Sequence, residues 1–363
     1  MKISFVLPAF YGTGGINVIY EYARRLKERG HLVTVYVPII AYNLHRGNAY
    51  IDIFKQIYAT LKVIKSCFVE NIPQKIKFKT QVEVKAVLKI NDSSISDADI
   101  VIASAWCTAF DVDRLSSQKG KKIYFIQGYE IWDNEKLGKQ SYKLSLNKIV
   151  VAEWIKQKLI EECQCNKENI VVINNGIDTK KYKPNRYCNS TTDRIVCLML
   201  DHILEKKGVK YGIEAFYVAK KNIPKLELKM FGMKKSKYVP KGIDYYENPS
   251  QEELLRLYQE ADIFIFPSLE EGWGLTPVEA MACECAVVGC DVGCMLDIGV
   301  NGENVVLCDK ADSESLAKGI IKLAEDNEFR KLISKNGYLT VKQLDWEIST
   351  NMFERELLRL LNI

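Results

Sequence analysis

Two carboxylates, Glu271 and Glu279, stand eight positions apart around a glycine-flanked tryptophan, in a stretch running from Pro267-Ser268 through Gly272-Trp273-Gly274-Leu275-Thr276-Pro277 to Ala282. One precedes the turn and one falls in the first turn of the helix that follows, so both can face the same ligand. The two glycines let the backbone turn sharply and approach a ligand closely. Before them, Ile263-Phe264-Ile265-Phe266 reads as a buried strand closed by Pro267. After them, Thr276 is the expected N-cap of a helix, with Pro277 at its first position. A strand, a glycine loop and a helix N-terminus together make an anion site. Thr276-x-x-Glu279 also fits a capping box, with Glu279 bonded to the Thr276 N–H. The pattern leaves Glu279 open between cap and ligand group.

The elements that must position these residues alternate along the chain. Ile3 to Leu7 reads as a strand, Gly12-Thr13-Gly14-Gly15 as a glycine loop, Ile16 to Arg29 as a helix and Leu32 to Val37 as a second strand. That is the opening of a Rossmann-like domain. The dinucleotide fingerprint fails, because Asn17 holds the third glycine's place and no acidic residue closes the second strand. A nicotinamide enzyme is therefore a weak reading. Gly14-Gly15 also fit a turn that merely needs positive φ. Ala41 to Ile95 is the least regular stretch, with one amphipathic helix around Ile51 to Val69 followed by a lysine-rich segment. Strands and helices then resume as far as Asn174-Asn175-Gly176-Ile177-Asp178, and the polar residues up to Asp193 make the best linker. A second α/β series follows, ending in a helix from Trp346 to Leu361.

At 363 residues with 47% hydrophobic and 27% charged residues, the chain has room for two globular domains. Its net charge of +5 does not by itself argue for nucleic acid. From Phe54 to Ile90, however, eight lysines face only Glu70 and Glu83, a local +6. Their default reading is a solvated surface. Interleaved apolar residues also make segment 54–90 a candidate contact with an anionic membrane surface. Eleven cysteines and three histidines read as reduced, buried thiols rather than disulfides or a zinc site. Met1 to Phe10 lacks a signal-peptide pattern, and no stretch approaches the ~20 apolar residues of a membrane span. A cytoplasmic protein is expected, peripheral at the inner membrane face if the lysine-rich segment does touch lipid. Asp97-Ala98-Asp99 has the form of a metal-binding Asp-x-Asp, but sits where a strand-start aspartate is common.

Taken with Asn175-Gly176-Ile177-Asp178, Lys207-Gly208 and Gly14-Gly15, the Glu271-x7-Glu279 stretch resembles the retaining GT-B glycosyltransferases of family 4, the glycosyl transferases group 1. The resemblance covers nearly the whole chain and implies an α/β GT-B fold, two Rossmann-like domains facing each other across a cleft. Residues 1–175 would bind the acceptor, and residues 176–344 a nucleoside-diphosphate sugar. The helix within 345–363 would pack back onto the first domain. It further implies that Lys207 neutralises the diphosphate, that Glu271 acts at the donor sugar as the catalytic carboxylate, and that Glu279 receives the ribose hydroxyls. Gly274, Leu275 and Thr276 would offer N–H groups to the phosphates, with Gly14, Gly15 and His202 as further donor contacts. No metal and no cofactor are expected; the partners are the nucleotide sugar and a glycan or lipid-linked acceptor. Details such as Gln127-Gly128-Tyr129-Glu130-Ile131-Trp132 look like a branch that builds cell-surface polysaccharide.

The departures lie around the motif. His202 stands where the family usually has arginine, Glu284-Cys285-Ala286 where it has Gly-x-Pro, and Gly293-Cys294-Met295-Leu296-Asp297 where it has a two-glycine loop. Gln127 occupies the place of a frequent acceptor-side histidine. These departures make a degenerate GT-B protein that binds without catalysis the rival reading.

Overall fold

Short runs of β-branched and aromatic residues become the parallel strands, and each amphipathic segment between them becomes a crossover helix. The computed structural model describes residues 1–11, 14–45, 47–185 and 194–363. Gly12 and Thr13 of the glycine loop, and residues 186–193 of the expected linker with Cys188 among them, lie outside them. Two compact units result, Met1–Asn175 with Ser349–Ile363, and Gly176–Ile348.

The first unit opens with β1 (Lys2–Val6), α1 (Gly14–Glu28), β2 (Leu32–Pro38), α2 (Ala49–Phe68), α3 (Ile72–Thr80) and β3 (Glu83–Val87). It continues with β4 (Ile100–Ala103), α4 (Trp106–Arg114), β5 (Lys121–Ile126) and α5 (Glu135–Tyr142). β6 (Asn147–Val150), α6 (Glu153–Cys163) and β7 (Ile170–Val172) complete it. The seven strands run in the order β3-β2-β1-β4-β5-β6-β7, all parallel. Lysine-rich segment 54–90 is thus a helix, a second helix and an edge strand. Periodicity misses β3 because its alternation is diluted by Lys85 at the sheet's edge.

The second unit holds β8 (Ile195–Leu200), α7 (Val209–Asn222), β9 (Leu226–Gly232), β10 (Asp244–Glu247), α8 (Gln251–Glu260) and β11 (Ile263–Phe266). Then come α9 (Leu275–Ala282), β12 (Ala286–Cys290), α10 (Met295–Ile298), β13 (Val306–Cys308), α11 (Ser313–Glu325) and α12 (Asn327–Val341). Its six strands are ordered β10-β9-β8-β11-β12-β13, again all parallel. Met199, Phe216, Ile265, Val288 and Leu323 are buried in one core cluster between this sheet and its helices.

The last helix, α13 (Trp346–Leu361), passes from one unit to the other. Its Phe353 is fully buried in the first unit, stacked on Tyr22 at 4.5 Å and edge-on to Phe125 at 5.1 Å. Glu354 holds it there, 2.7 Å from Arg29 and 2.6 Å from His31.

The Asp-x-Asp pair has structural partners. Asp99 accepts the Lys2 N–H at 2.6 Å, and Asp97 pairs with Lys119 at 2.7 Å. Among the described residues, no group of three metal-ligating side chains occurs. The ten described cysteines are free thiols, and no described helix is long and apolar enough to cross a membrane.

Candidate functional site

Both sheets share the order in which the third, second and first strands are followed by the fourth, fifth and sixth. Such sheets open a crevice at the strand carboxyl ends, between the first and fourth strands, where the order reverses. In the second unit these are β8 and β11, paired Cys197 to Ile263 and Met199 to Ile265. The loops that leave them, 201–208 and 267–274, therefore emerge side by side. Two backbone bonds lock them together, with the Lys206 carbonyl accepting the N–H groups of Leu269 (2.8 Å) and Glu270 (3.3 Å). Gly208, at φ +63, makes the approach possible, because a Cβ there would stand 1.9 Å from the Pro267 carbonyl oxygen.

This docking brings Lys207 onto Glu271. The ammonium lies 2.6 Å from Glu271 Oε1, and the Ser268 hydroxyl donates to the same oxygen at 2.9 Å. His202 sits within electrostatic reach of both. Its Nδ1 accepts the Leu204 N–H at 3.1 Å, which leaves the ring proton on Nε2. Burial, and then the neighbouring Lys207, hold its pKa below the usual histidine value. The imidazole is thus a neutral N–H donor beside the ammonium, not a second cation. Asp201 shapes the same loop from below, accepting the Ser236 N–H (2.7 Å) and the Tyr245 hydroxyl (3.1 Å).

Helix α9 begins earlier than its residue types suggest. Gly274, at φ 90, is the N-cap in place of Thr276, and Pro277 falls at the third helical position rather than the first. Proline is tolerated there because first-turn N–H groups have no partner within the helix. No side chain caps this helix start. Leu275 and Thr276 therefore carry the first-turn N–H groups beside the Lys207–Glu271 pair.

Nor does Glu279 close a capping box. One turn into α9, it accepts the Tyr258 hydroxyl from α8 at 2.8 Å, and Tyr182 also hydrogen-bonds it. Burial raises its pKa above the usual carboxylate value, while the two hydroxyls work the other way.

The altered loop after β12 forms the far side of the motif. Gly293, at φ +59, packs so tightly that a Cβ would meet the Trp273 carbonyl oxygen at 2.4 Å and Glu271 Cβ at 2.7 Å. Cys294 follows, its N–H on the Trp273 carbonyl at 2.5 Å and its Sγ 3.4 Å from the Gly274 carbonyl oxygen. The single glycine retained here is the one the close approach requires. Glu284 takes φ 58, the left-handed conformation a glycine would supply, so the turn after α9 is still made.

Lys207, His202, Glu271 and the α9 residues Gly274, Leu275, Thr276 and Glu279 thus lie around one switch point. Gly14 and Gly15 belong to the first unit, where they are the first two residues of α1 and so helical rather than in a turn. Sequence reasoning missed Ser268, Tyr258 and Tyr182. Ser268 was legible as a hydroxyl three residues before Glu271. The tyrosines carried no signal, since only tertiary packing brings them to Glu279, Tyr258 from α8 and Tyr182 from the turn that follows Asp178.

Two doubly wound units of this order, one with a basic and carboxylate cluster at its switch point, define the GT-B class of α/β proteins. Residues 187–340 match the family described as Glycosyl transferases group 1, and residues 12–181 match Glycosyltransferase Family 4. The chain belongs to this family and is a glycosyltransferase. It is 24% identical over 264 residues to the capsular polysaccharide biosynthesis glycosyltransferase CapM of Staphylococcus aureus, covering 66% of this chain and 70% of that one. An uncharacterized glycosyltransferase of Methanocaldococcus jannaschii is 27% identical over 203 residues, 55% of each chain. The O-antigen chain mannosyltransferase B of Escherichia coli is 32% identical over 108 residues, 30% of this chain and 28% of that one. Among solved structures, Anabaena HepE in complex with UDP and glucose has a TM-score of 0.73 at 15% identity, covering 98% of this chain and 99% of its own. That likeness carries the fold.

Proposed function

We propose that this glycosyltransferase moves a sugar, with retention of configuration, from a nucleoside-diphosphate sugar to a glycan or lipid-linked acceptor in cell-surface polysaccharide synthesis. One observation carries the reading: a largely buried lysine–carboxylate pair beside an uncapped helix N-terminus. An ammonium, a neutral imidazole N–H and first-turn amides are suited to a diphosphate leaving group, whose charge grows as the glycosidic bond breaks. They supply that neutralisation without a divalent metal. Glu271, fixed by Lys207 and Ser268, would hold the sugar hydroxyls and stabilise positive charge at the anomeric carbon. Glu279, steadied by tyrosines, would accept the ribose hydroxyls. The acceptor hydroxyl attacks the anomeric carbon from the leaving-group face, and the departing diphosphate takes its proton. The capsular and O-antigen relatives support the polysaccharide context, and HepE's bound UDP supports a nucleotide donor. The first unit would take the acceptor, with the enzyme working in the cytoplasm at the membrane where such acceptors are built.

The test is a thermal-shift screen against UDP-, GDP- and dTDP-sugars and the free diphosphates, followed by donor turnover. A stabilising donor whose nucleoside diphosphate is released by the wild type, and not by Glu271→Ala, is expected. Binding without release would assign the chain to non-catalytic sugar-nucleotide binders. Full activity of Glu271→Ala would overturn the site.

A further inference from the structure

Helix α2 is packed inside out. The side it turns to the protein is polar and small: Asp52 and Ser66 are its buried residues. Gln56 donates to the Ala41 carbonyl at 2.7 Å, Thr60 Oγ1 accepts the Ala41 N–H at 3.1 Å, and Ser66 bonds the Tyr11 hydroxyl at 3.0 Å. Its apolar residues face outward instead. Tyr50, Phe54, Ile57, Tyr58, Leu61 and Phe68 are all exposed, Phe54 by 72% and Phe68 by 76%. They recur at the three-, four- and seven-residue steps that make one continuous helical face. Lys55, Lys62 and Lys65 run along one flank of that face, and α3 adds Lys75, Lys79 and Phe78, the last 90% exposed.

A soluble surface does not carry an aromatic stripe of this length without an occupant, since each exposed side chain forfeits transfer free energy. The charge around the stripe names the occupant. With eight lysines against two glutamates over residues 54–90, the surroundings favour an anionic partner. A second copy of the chain would bring like-charged flanks together. A bilayer interface satisfies both demands: acyl chains receive the aromatic and aliphatic side chains, and headgroup phosphates receive the lysines.

We infer that α2 and α3 dock this enzyme on anionic lipid, with the outward face of α2 inserted at the boundary between headgroups and acyl chains. The inference rests on the proposed membrane-side function and names the element that delivers it. A lipid-linked acceptor would then meet an enzyme already held at its surface.

Vesicle co-flotation of the full chain tests it, using phosphatidylcholine alone and phosphatidylcholine mixed with phosphatidylglycerol. Binding to the mixed vesicles, weakened by salt, is expected. A Phe54→Glu/Leu61→Glu variant, altered only at exposed positions, keeps its melting temperature and binds at least about tenfold more weakly. Reversing Lys55, Lys62 and Lys65 to glutamate costs on the order of a hundredfold on the anionic vesicles. No binding to the mixed vesicles, or equal binding by Phe54→Glu/Leu61→Glu, overturns the inference. So does a concentration-dependent dimer in sedimentation that Phe54→Glu/Leu61→Glu dissolves, which would give the face to a second copy. Donor hydrolysis without vesicles reports on the transfer reading separately: vesicle binding lost with hydrolysis intact touches only the docking face.

Discussion

Lys207 and Glu271 meet at 2.6 Å across 64 residues of chain, with side chains only 20% and 10% exposed. Their contact is made by two loops that leave neighbouring parallel strands. A pair this sheltered is expensive to break from one side, because the survivor keeps its desolvation cost and loses its partner. Lys207→Ala is therefore expected to cost about 1–3 kcal/mol of stability, discounted for the remaining exposure. The double variant Lys207→Ala/Glu271→Ala recovers part of that loss. Denaturant unfolding of the four proteins in the cycle measures the coupling, and strict additivity would show that the pair contributes nothing.

Glu279 and Tyr258 yield a second, sharper separation. Replacing the tyrosine by phenylalanine keeps the ring contacts and removes one hydroxyl donor to a carboxylate, at an expected cost of about 1–2 kcal/mol of stability. If Glu279 holds the ribose, Tyr258→Phe raises the donor KM several-fold by freeing the carboxylate's position. Glu279→Ala then raises KM further, with a smaller change in kcat. Steady-state kinetics with varied donor distinguish this from a purely structural role, in which kcat and KM follow the fraction of folded protein.

Much of this arrangement is legible in the sequence. The Ile263–Phe266 run, the Gly-Trp-Gly turn and the two glutamates announce strand, loop and helix because local chemistry fixes each of them. The alternation of such runs announces doubly wound halves. What local chemistry does not reach is partnership across the sheet. Tyr258 looks like one more residue of an amphipathic helix, and Thr276 looks like a better cap than Gly274. Gly274 takes the cap because the loop ends there at φ 90, a left-handed conformation that glycine adopts without steric cost. Periodicity announces helix α2 but not its orientation, since it shows that a face exists and not which way that face turns.

Glu130 makes stability depend on pH. The carboxyl accepts the Trp106 N–H at the start of α4 (2.8 Å) and the Tyr124 hydroxyl (3.1 Å), and burial pushes its pKa up from 4.5 to about 7. A folded pKa above the unfolded one means that the folded state binds more protons between those values. The group's contribution is then most favourable below about pH 4.5, falls as pH rises to about 7, and stays at its low value above. Glu130→Gln keeps an oxygen for both donors and removes the charge. It is expected to stabilise the protein by about 1–3 kcal/mol at pH 8, with the gain shrinking toward pH 5. Denaturant midpoints at the two pH values measure this, and a gain independent of pH would point to packing instead of ionisation.

Glu284 stands where a glycine would be conformationally at ease. Helix α9 ends in a Schellman arrangement, with the Cys285 N–H on the Ala280 carbonyl and the Glu284 N–H on the Met281 carbonyl, both at 3.0 Å. The residue between helix and strand must take a left-handed conformation, and Glu284 does so at φ 58. A side chain there costs about 1–2 kcal/mol, against the 0.5–1 kcal/mol of extra chain entropy a glycine loses on folding. The difference favours glycine, so Glu284→Gly is expected to stabilise by about 0.5–1 kcal/mol and to raise the melting temperature by roughly 1–4 °C. Because the substitution leaves every backbone bond of the turn in place, α9 keeps its register, and with it Leu275, Thr276 and Glu279. Donor turnover should then be unchanged. A lower melting temperature would instead mean that the exposed Glu284 side chain makes an interaction worth more than the strain it imposes.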